Sequence, residues 1–148
     1  MIKTIPFKAE HIECMNIRQY EMGTCLSMPY FQTAIKIWQE QNRALTMLCD
    51  GRIIAIAGYV DMWNGVCEVF VLPSIYLKEY PHAFARCVRK ILKSGMFNSY
   101  NRVQLRSLDD ETHNRFNKFC GFTKEAVLKK YDPFGNDMGI WAVTKGGI

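Results

Sequence analysis

Between Gly65 and Gly95 the chain has no glycine, and it contains no Cys-x-x-Cys pair, no low-complexity tract and no apolar run of membrane length. Each absence excludes something. The longest apolar stretches, such as Ile53 to Val60, fall far short of the roughly 20 residues a membrane-spanning helix needs. Lys3 and Lys8 near the N-terminus are not followed by the apolar core of a secretory signal, so no export is expected. The six cysteines, Cys14, Cys25, Cys49, Cys67, Cys87 and Cys120, stand singly, and no histidine sits at zinc-finger spacing from them, so no metal site is expected. Cys49, Cys67 and Cys87 lie in apolar stretches, where a free thiol packs as a small hydrophobe. The reading is a chain in reducing surroundings, the cytoplasm, with free thiols and no membrane contact.

What is present is enough to build a core. The chain has 148 residues, 49% hydrophobic and 13% aromatic, which suits one globular domain, residues 1–148, without staples. The formal charge of +5 permits contact with anions. Its densest basic segment, Arg86, Arg89, Lys90 and Lys93, winds at helical spacing around Phe84, Cys87, Val88, Ile91 and Leu92. That is the pattern of a solvated helix face, so nucleic acid is not the expected partner.

The chain reads as alternating elements. Ile2 to Phe7 alternates as a first strand, and Ala9 to Met22 follows as a helix with Ile12, Met15, Ile17 and Tyr20 among its apolar positions. A second helix opens at Met28-Pro29 and runs to about Glu40 through Phe31, Ala34, Ile35 and Trp38. Leu45 to Cys49, the turn Asp50-Gly51, and Ile53 to Val60 form the clearest hairpin. After Asn64-Gly65 comes a strand from Val66 to Leu72, then a helix from Pro81 to about Phe97, and a strand from Asn101 to Ser107. Asp109 or Asp110 can cap a short helix carrying Phe116, Phe119 and Cys120, with Gly121 placed for a left-handed C-cap. Strands at Glu125 to Tyr131 and Met138 to Thr144 flank the turn-rich Asp132 to Asp137. The order is β-α-α-β-β-β-α-β-α-β-β.

That order resembles the GNAT superfamily of N-acetyltransferases over nearly the whole chain. The hairpin Leu45 to Val60, the strand ending Val71-Leu72-Pro73 and the corner Phe119-Cys120-Gly121-Phe122 each look like their GNAT counterparts. The resemblance implies an α/β (α+β) fold, a mixed and mostly antiparallel twisted sheet flanked by helices. It also implies that the fourth and fifth strands, Val66 to Leu72 and Asn101 to Ser107, run side by side and splay apart, with acetyl-coenzyme A in the splay. A second, narrower resemblance is to the internal virion protein A family of T7-like phages, in His113 to Lys118, in Trp141 to Gly147 and in the hairpin Leu45 to Gly58. It implies a late phage product of the same fold, located in host cytoplasm or virion, with a phage or host protein as partner.

Acetyl transfer to an amine needs a pyrophosphate cradle, a polarised thioester, a base and an acid. GNAT enzymes build the cradle from Gln/Arg-x-x-Gly-x-Gly/Ala, because glycines let main-chain N–H groups approach phosphate at a helix N-terminus. Here a shifted register places Lys78 at the first position and Ala83 at the last, but Pro81 stands where the middle glycine belongs and removes a donor. The resemblance therefore carries Val71, Leu72, Lys78, His82 and Ala83 to a reduced cofactor site. Glu68 lies on the strand that supplies the base in several GNAT enzymes, and its neighbours Cys67, Val69 and Phe70 predict an apolar setting that favours proton uptake. The family's acid, a tyrosine five residues before the phenylalanine of Gly-Phe, is replaced by Asn117. Tyr131 and Tyr80 are candidates to replace it, while His113 near the start of that helix reads as a capping or surface residue. Two functions stay open: an acetyl-coenzyme A-dependent N-acetyltransferase with a weakened cofactor site, and a fold relative that has lost the chemistry and acts by protein binding.

Overall fold

The computed structural model describes residues 1–145. The expected Gly146-Gly147 ending lies outside the described residues. Seven strands form one sheet in the order β1-β2-β3-β4-β5-β7-β6, accompanied by five α-helices. By their contacts the residues group into two units, Met1–Val60 with Phe70–Phe84, and Asp61–Val69 with the described residues from Ala85 onward.

In the first unit, β1 (Lys3–Pro6) pairs antiparallel with β2 (Ala44–Cys49), which pairs antiparallel with β3 (Arg52–Trp63). The turn between β2 and β3 puts Asp50 and Gly51 at φ 51° and 76°, the left-handed pair that a two-residue hairpin turn of this twist requires. Three helices cover these strands: α1 (Glu10–Cys14), α2 (Gln19–Leu26) and α3 (Phe31–Glu40). The sequence periodicity predicts one helix over 9–22, and the structure breaks it in two. The reason is main-chain pairing: Ile75 N–H donates to Asn16 O at 2.8 Å, and Arg18 N–H donates to Pro73 O at 3.3 Å, so residues 16–18 are extended beside the end of the fourth strand.

The core of this unit centres on Trp38. Its ring stacks on Phe70 at 4.4 Å and meets Phe7 and Phe31 edge-on at 6.1 and 6.2 Å. Ile35, Ile56, Met15 and Leu72 close the cluster. Burying one such large apolar side chain stabilises the fold by about 1.5–3 kcal/mol, so these contacts fix how α3 lies on the sheet.

In the second unit, β4 (Val66–Pro73) contributes its first residues, and Val66, Cys67 and Glu68 pair in parallel with Arg102, Val103 and Gln104 of β5 (Arg102–Leu108). The side-by-side run expected of these strands is thus present over three positions. Along its whole length β5 pairs antiparallel with β7 (Met138–Thr144), and β7 pairs antiparallel with the edge strand β6 (Thr123–Leu128). The helix predicted from Pro81 to Phe97 is shorter, α4 (Pro81–Leu92), with Gly95 at φ 95° just beyond its end. In α5 (Glu111–Phe119) the cap is Asp110, not Asp109: Asp110 Oδ1 accepts from the main-chain N–H of His113 at 2.8 Å. Side chains alternate along a strand, so Arg102, Gln104 and Arg106 share one face of β5 while Val103, Leu105 and Ser107 share the other. Helix α5 lies over the second face, where Asn117 donates to Ser107 Oγ at 2.8 Å.

Candidate functional site

The residues carried to a cofactor by resemblance all lie in the first unit. Val71 is half-buried in β4, while Leu72 is 6% exposed and belongs to the core. Any role of Leu72 toward a cofactor therefore falls to its main chain. Lys78 sits in a single turn of 3-10 helix, Leu77–Glu79, and is exposed. His82 and Ala83 occupy the first turn of α4, exposed and half-buried respectively. The first N–H groups of a helix have no intrahelical acceptor, so His82 and Ala83 offer two donors beside one lysine.

The segment leading into α4 is held down. Arg52 Nη2 donates to Tyr80 Oη at 2.8 Å and to Glu79 Oε1 at 3.2 Å, and Tyr80 Oη donates to Asp50 Oδ2 at 2.6 Å. The Arg52 guanidinium also lies over the Tyr76 ring at 4.4 Å, and Asn16 Nδ2 donates to Tyr76 Oη at 3.0 Å. A phenol that gives its proton to a carboxylate keeps it more firmly, so the hydrogen bond to Asp50 raises the Tyr80 pKa, offset in part by Arg52. Tyr80 is thereby unsuited to give its proton to a thiolate. The bulky segment is a buttressed corner, where a glycine loop would leave an open cradle.

Glu68 lies in the second unit, and its surroundings differ from the apolar setting expected of Val66 to Phe70. Its side chain, 14% exposed, meets the polar face of β5. Arg106 Nη2 donates to Oε2 at 2.5 Å, Arg106 Nε lies 3.1 Å from both carboxylate oxygens, and Gln104 Nε2 donates to Oε1 at 2.8 Å. The reason is the alternation along β4, which turns Cys67 into the core at 0% exposure and Glu68 the other way. Arg106 further donates from Nη1 to Tyr131 Oη, with its guanidinium 5.3 Å from that ring. On the other side Gln104 Oε1 accepts from Arg102 Nε at 2.8 Å, and Arg102 makes a two-pronged ion pair with Glu125 at 2.6 and 2.9 Å. Glu125, Arg102, Gln104, Glu68, Arg106 and Tyr131 thus form one continuous polar chain.

Arg106 and Gln104 escape a reading built on single motifs. Their signal is present in the alternation Arg102-Val103-Gln104-Leu105-Arg106, which places two cations and an amide on one strand face. Of the two tyrosines weighed as acids, the structure joins Tyr131 to the Glu68 cluster. Asn117 is 2% exposed and spends its amide on Ser107, so it has no free group for chemistry. The His113 ring lies 2.8 Å from Asp110 Oδ1, consistent with a capping role. Among the described residues no group of three metal-ligating side chains occurs, and no helix is long and apolar enough to cross a membrane.

No family model matches the chain, and no curated protein matches it in sequence. Solved structures do match. Spermidine N-acetyltransferase from Vibrio cholerae, in complex with CoA and spermine, superposes with a TM-score of 0.73 at 13% identity, covering 99% of this chain and 96% of that one. The self-immunity acetyltransferase MccE, in complex with acetyl-CoA and AMP, gives 0.70 at 16% identity over 97% and 92%. A GNAT-family acetyltransferase from Bacillus anthracis gives 0.69 at 12% identity over 97% and 94%. At such identities the likeness is one of fold. The chain has the mixed α/β GNAT fold, with a mostly antiparallel seven-stranded sheet and flanking helices.

Proposed function

We propose that this chain is an acetyl-coenzyme A-dependent N-acetyltransferase whose cofactor site is weaker than the glycine-loop design. The observation that carries the reading is the placement of Glu68: a carboxylate on β4, held by Arg106 and Gln104 and linked through Arg106 to the Tyr131 hydroxyl, in a fold shared with acetyltransferases that bind acetyl-CoA and, in one case, spermine.

Bound acetyl-CoA would supply an acetyl group activated as a thioester. Lys78 and the N–H groups of His82 and Ala83 would hold its phosphates, and the main chain at Val71 and Leu72 would line its pantetheine arm. Glu68 accepts the proton of the incoming ammonium, directly or through one water, and Arg106 and Gln104 keep its oxygens aimed. Tyr131 accepts from Arg106, which leaves its own phenolic proton free for the departing thiolate, the role Asn117 cannot fill. The acceptor is an amine. Calorimetric titration of acetyl-CoA into the protein, followed by an acetyl-transfer assay on a set of amines, tests this; binding plus turnover that depends on Glu68 is expected.

A second reading is a GNAT-fold protein of phage origin, without catalysis, that acts in the virion or on a host protein. Two observations favour it. The corner Tyr76 to Pro81 is locked by Arg52 and Asp50 where acetyltransferases need an open cradle, and Asn117 stands in place of the acid. The resemblance of His113 to Lys118 and of the Leu45 to Gly58 hairpin to internal virion protein A adds to it. Absence of acetyl-CoA binding at millimolar concentration selects this reading.

A further inference from the structure

On the side of the sheet opposite Glu68, a groove of about 400 Å³ runs between α5 and the edge strand β6. Its lining is Asn114, Lys118, Phe122, Thr123, Lys124 and Trp141. Trp141 stands opposite Leu105 on β5 and Lys124 on β6, is 1% exposed, and forms the floor. Two buried polar atoms at this place have no partner: the indole N–H, Trp141 Nε1, and the amide oxygen, Asn114 Oδ1. An orphaned buried donor or acceptor costs about 1–3 kcal/mol, so two in one groove call for an occupant.

Neither atom can be satisfied by a simple rearrangement. Asn114 Nδ2 donates to Asp109 Oδ1 at 3.1 Å, and Lys124 Nζ lies 2.5 Å from the same oxygen. Turning the Asn114 amide over would set its oxygen against the Asp109 carboxylate, so the ion pair fixes Oδ1 as the open acceptor. Beside the indole nitrogen stands Gly139, where a Cβ would lie 2.8 Å from Nε1 and 3.3 Å from Lys124 Cε. The glycine leaves space next to the N–H that any side chain would fill. Phe122 and the indole supply apolar walls, and Lys118 at the rim has no ion pair among the described residues.

We propose that this groove is a second binding site, for a small flat ligand bearing a carboxamide, whose carbonyl accepts from Trp141 Nε1 and whose N–H donates to Asn114 Oδ1. A carboxamide is the smallest group that carries one acceptor and one donor on the same planar unit, and an attached ring fits the apolar walls. A carboxylate offers no donor to Asn114, though it would attract Lys118. The site is independent of the acetyl-transfer reading, because none of its residues belongs to the Glu68 cluster.

The test is a titration of the 15N-labelled full chain with benzamide and, separately, benzoate, read at the Trp141 indole N–H resonance. Benzamide is expected to move that resonance saturably, and benzoate to bind about tenfold more weakly, the loss of one hydrogen bond. Gly139→Ala should abolish the response by filling the space, and Asn114→Ala, checked for an unchanged fold by its remaining spectrum, should weaken benzamide by about tenfold and leave benzoate unchanged. Tighter binding of benzoate than of benzamide would make the groove a Lys118 anion site and overturn the proposal. So would an indole N–H that neither probe moves, including one that shows a long-lived water as its partner.

Discussion

Arg106 grips Glu68 with two nitrogens, Nη2 at 2.5 Å from Oε2 and Nε at 3.1 Å from both oxygens, across the parallel pairing of β4 and β5. A forked pair of this kind fixes direction as well as charge. If Glu68 takes the amine proton, Glu68→Gln lowers kcat/KM for acetyl transfer by about a hundredfold with little change in acetyl-CoA affinity, since general-base catalysis is commonly worth 10²–10⁴. An unchanged rate at neutral pH would remove Glu68 from the chemistry. Arg106→Met, which leaves the carboxylate in place but undirected, should lower kcat more than it raises KM, and because the pair is partly solvated it should cost only about 1 kcal/mol of stability.

Lys78→Ala is expected to weaken acetyl-CoA binding several-fold and leave the melting temperature unchanged, because Lys78 is exposed and meets phosphate as a point charge. With Pro81 and the locked corner costing about two charge-assisted hydrogen bonds relative to a glycine loop, overall affinity should fall about a hundredfold or more below that design. Micromolar affinity untouched by Lys78→Ala would place the phosphates elsewhere.

Tyr80 should titrate late. Its pKa is raised by the hydrogen bond to Asp50, so the network joining Asp50, Arg52 and Tyr80 stabilises the fold at all pH below the ordinary tyrosine value of 10.0 and is lost as pH rises through the higher, folded value. Ultraviolet titration should show one phenol ionising after the others, and Tyr80→Phe should delete that late step. A Tyr80→Phe protein with an unaltered titration curve would show that the corner is not locked as described.

Asp110 titrates in the opposite sense. Burial tends to raise its pKa, but the hydrogen bonds from the main chain and ring of His113 outweigh that and lower it below 3.8. The cap of α5 is therefore at full strength above that value and fades as pH falls through the folded pKa. Asp110→Ala should cost about 1 kcal/mol at neutral pH, seen as a drop in chemical-denaturation midpoint, and the difference from wild type should shrink below pH ~3.

Thiol chemistry should separate the cysteines. Cys14 is exposed, while Cys25 and Cys120 are buried and their pKa values are pushed up to about 11, chiefly by desolvation. The thiolate is the reactive form, so a disulfide reagent at neutral pH should modify Cys14 within minutes and Cys25, Cys49, Cys67 and Cys120 only on unfolding. Rapid modification of all six would contradict the packing.

The sequence by itself determined the elements whose causes are local. Asp50-Gly51 sets a hairpin turn, Pro81 opens α4, Asp110 caps α5, and Gly121 takes φ 99° at its end, because each needs only the conformational preference of one or two residues. From those elements the order of the fold, and hence the GNAT resemblance, was legible. Only the tertiary structure decided what long-range pairing controls. The break between α1 and α2 comes from the main chain of residues 16–18 bonding to Pro73 and Ile75, which no periodicity within 9–22 reveals. Leu72 reads as a cofactor residue in sequence and packs with Trp38's cluster in space. Glu68 reads as a carboxylate among apolar neighbours, yet its side chain meets Gln104 and Arg106 from a strand more than thirty residues away. A side chain's local sequence says which face it takes, and the partner strand, chosen by the whole sheet, says what stands on that face.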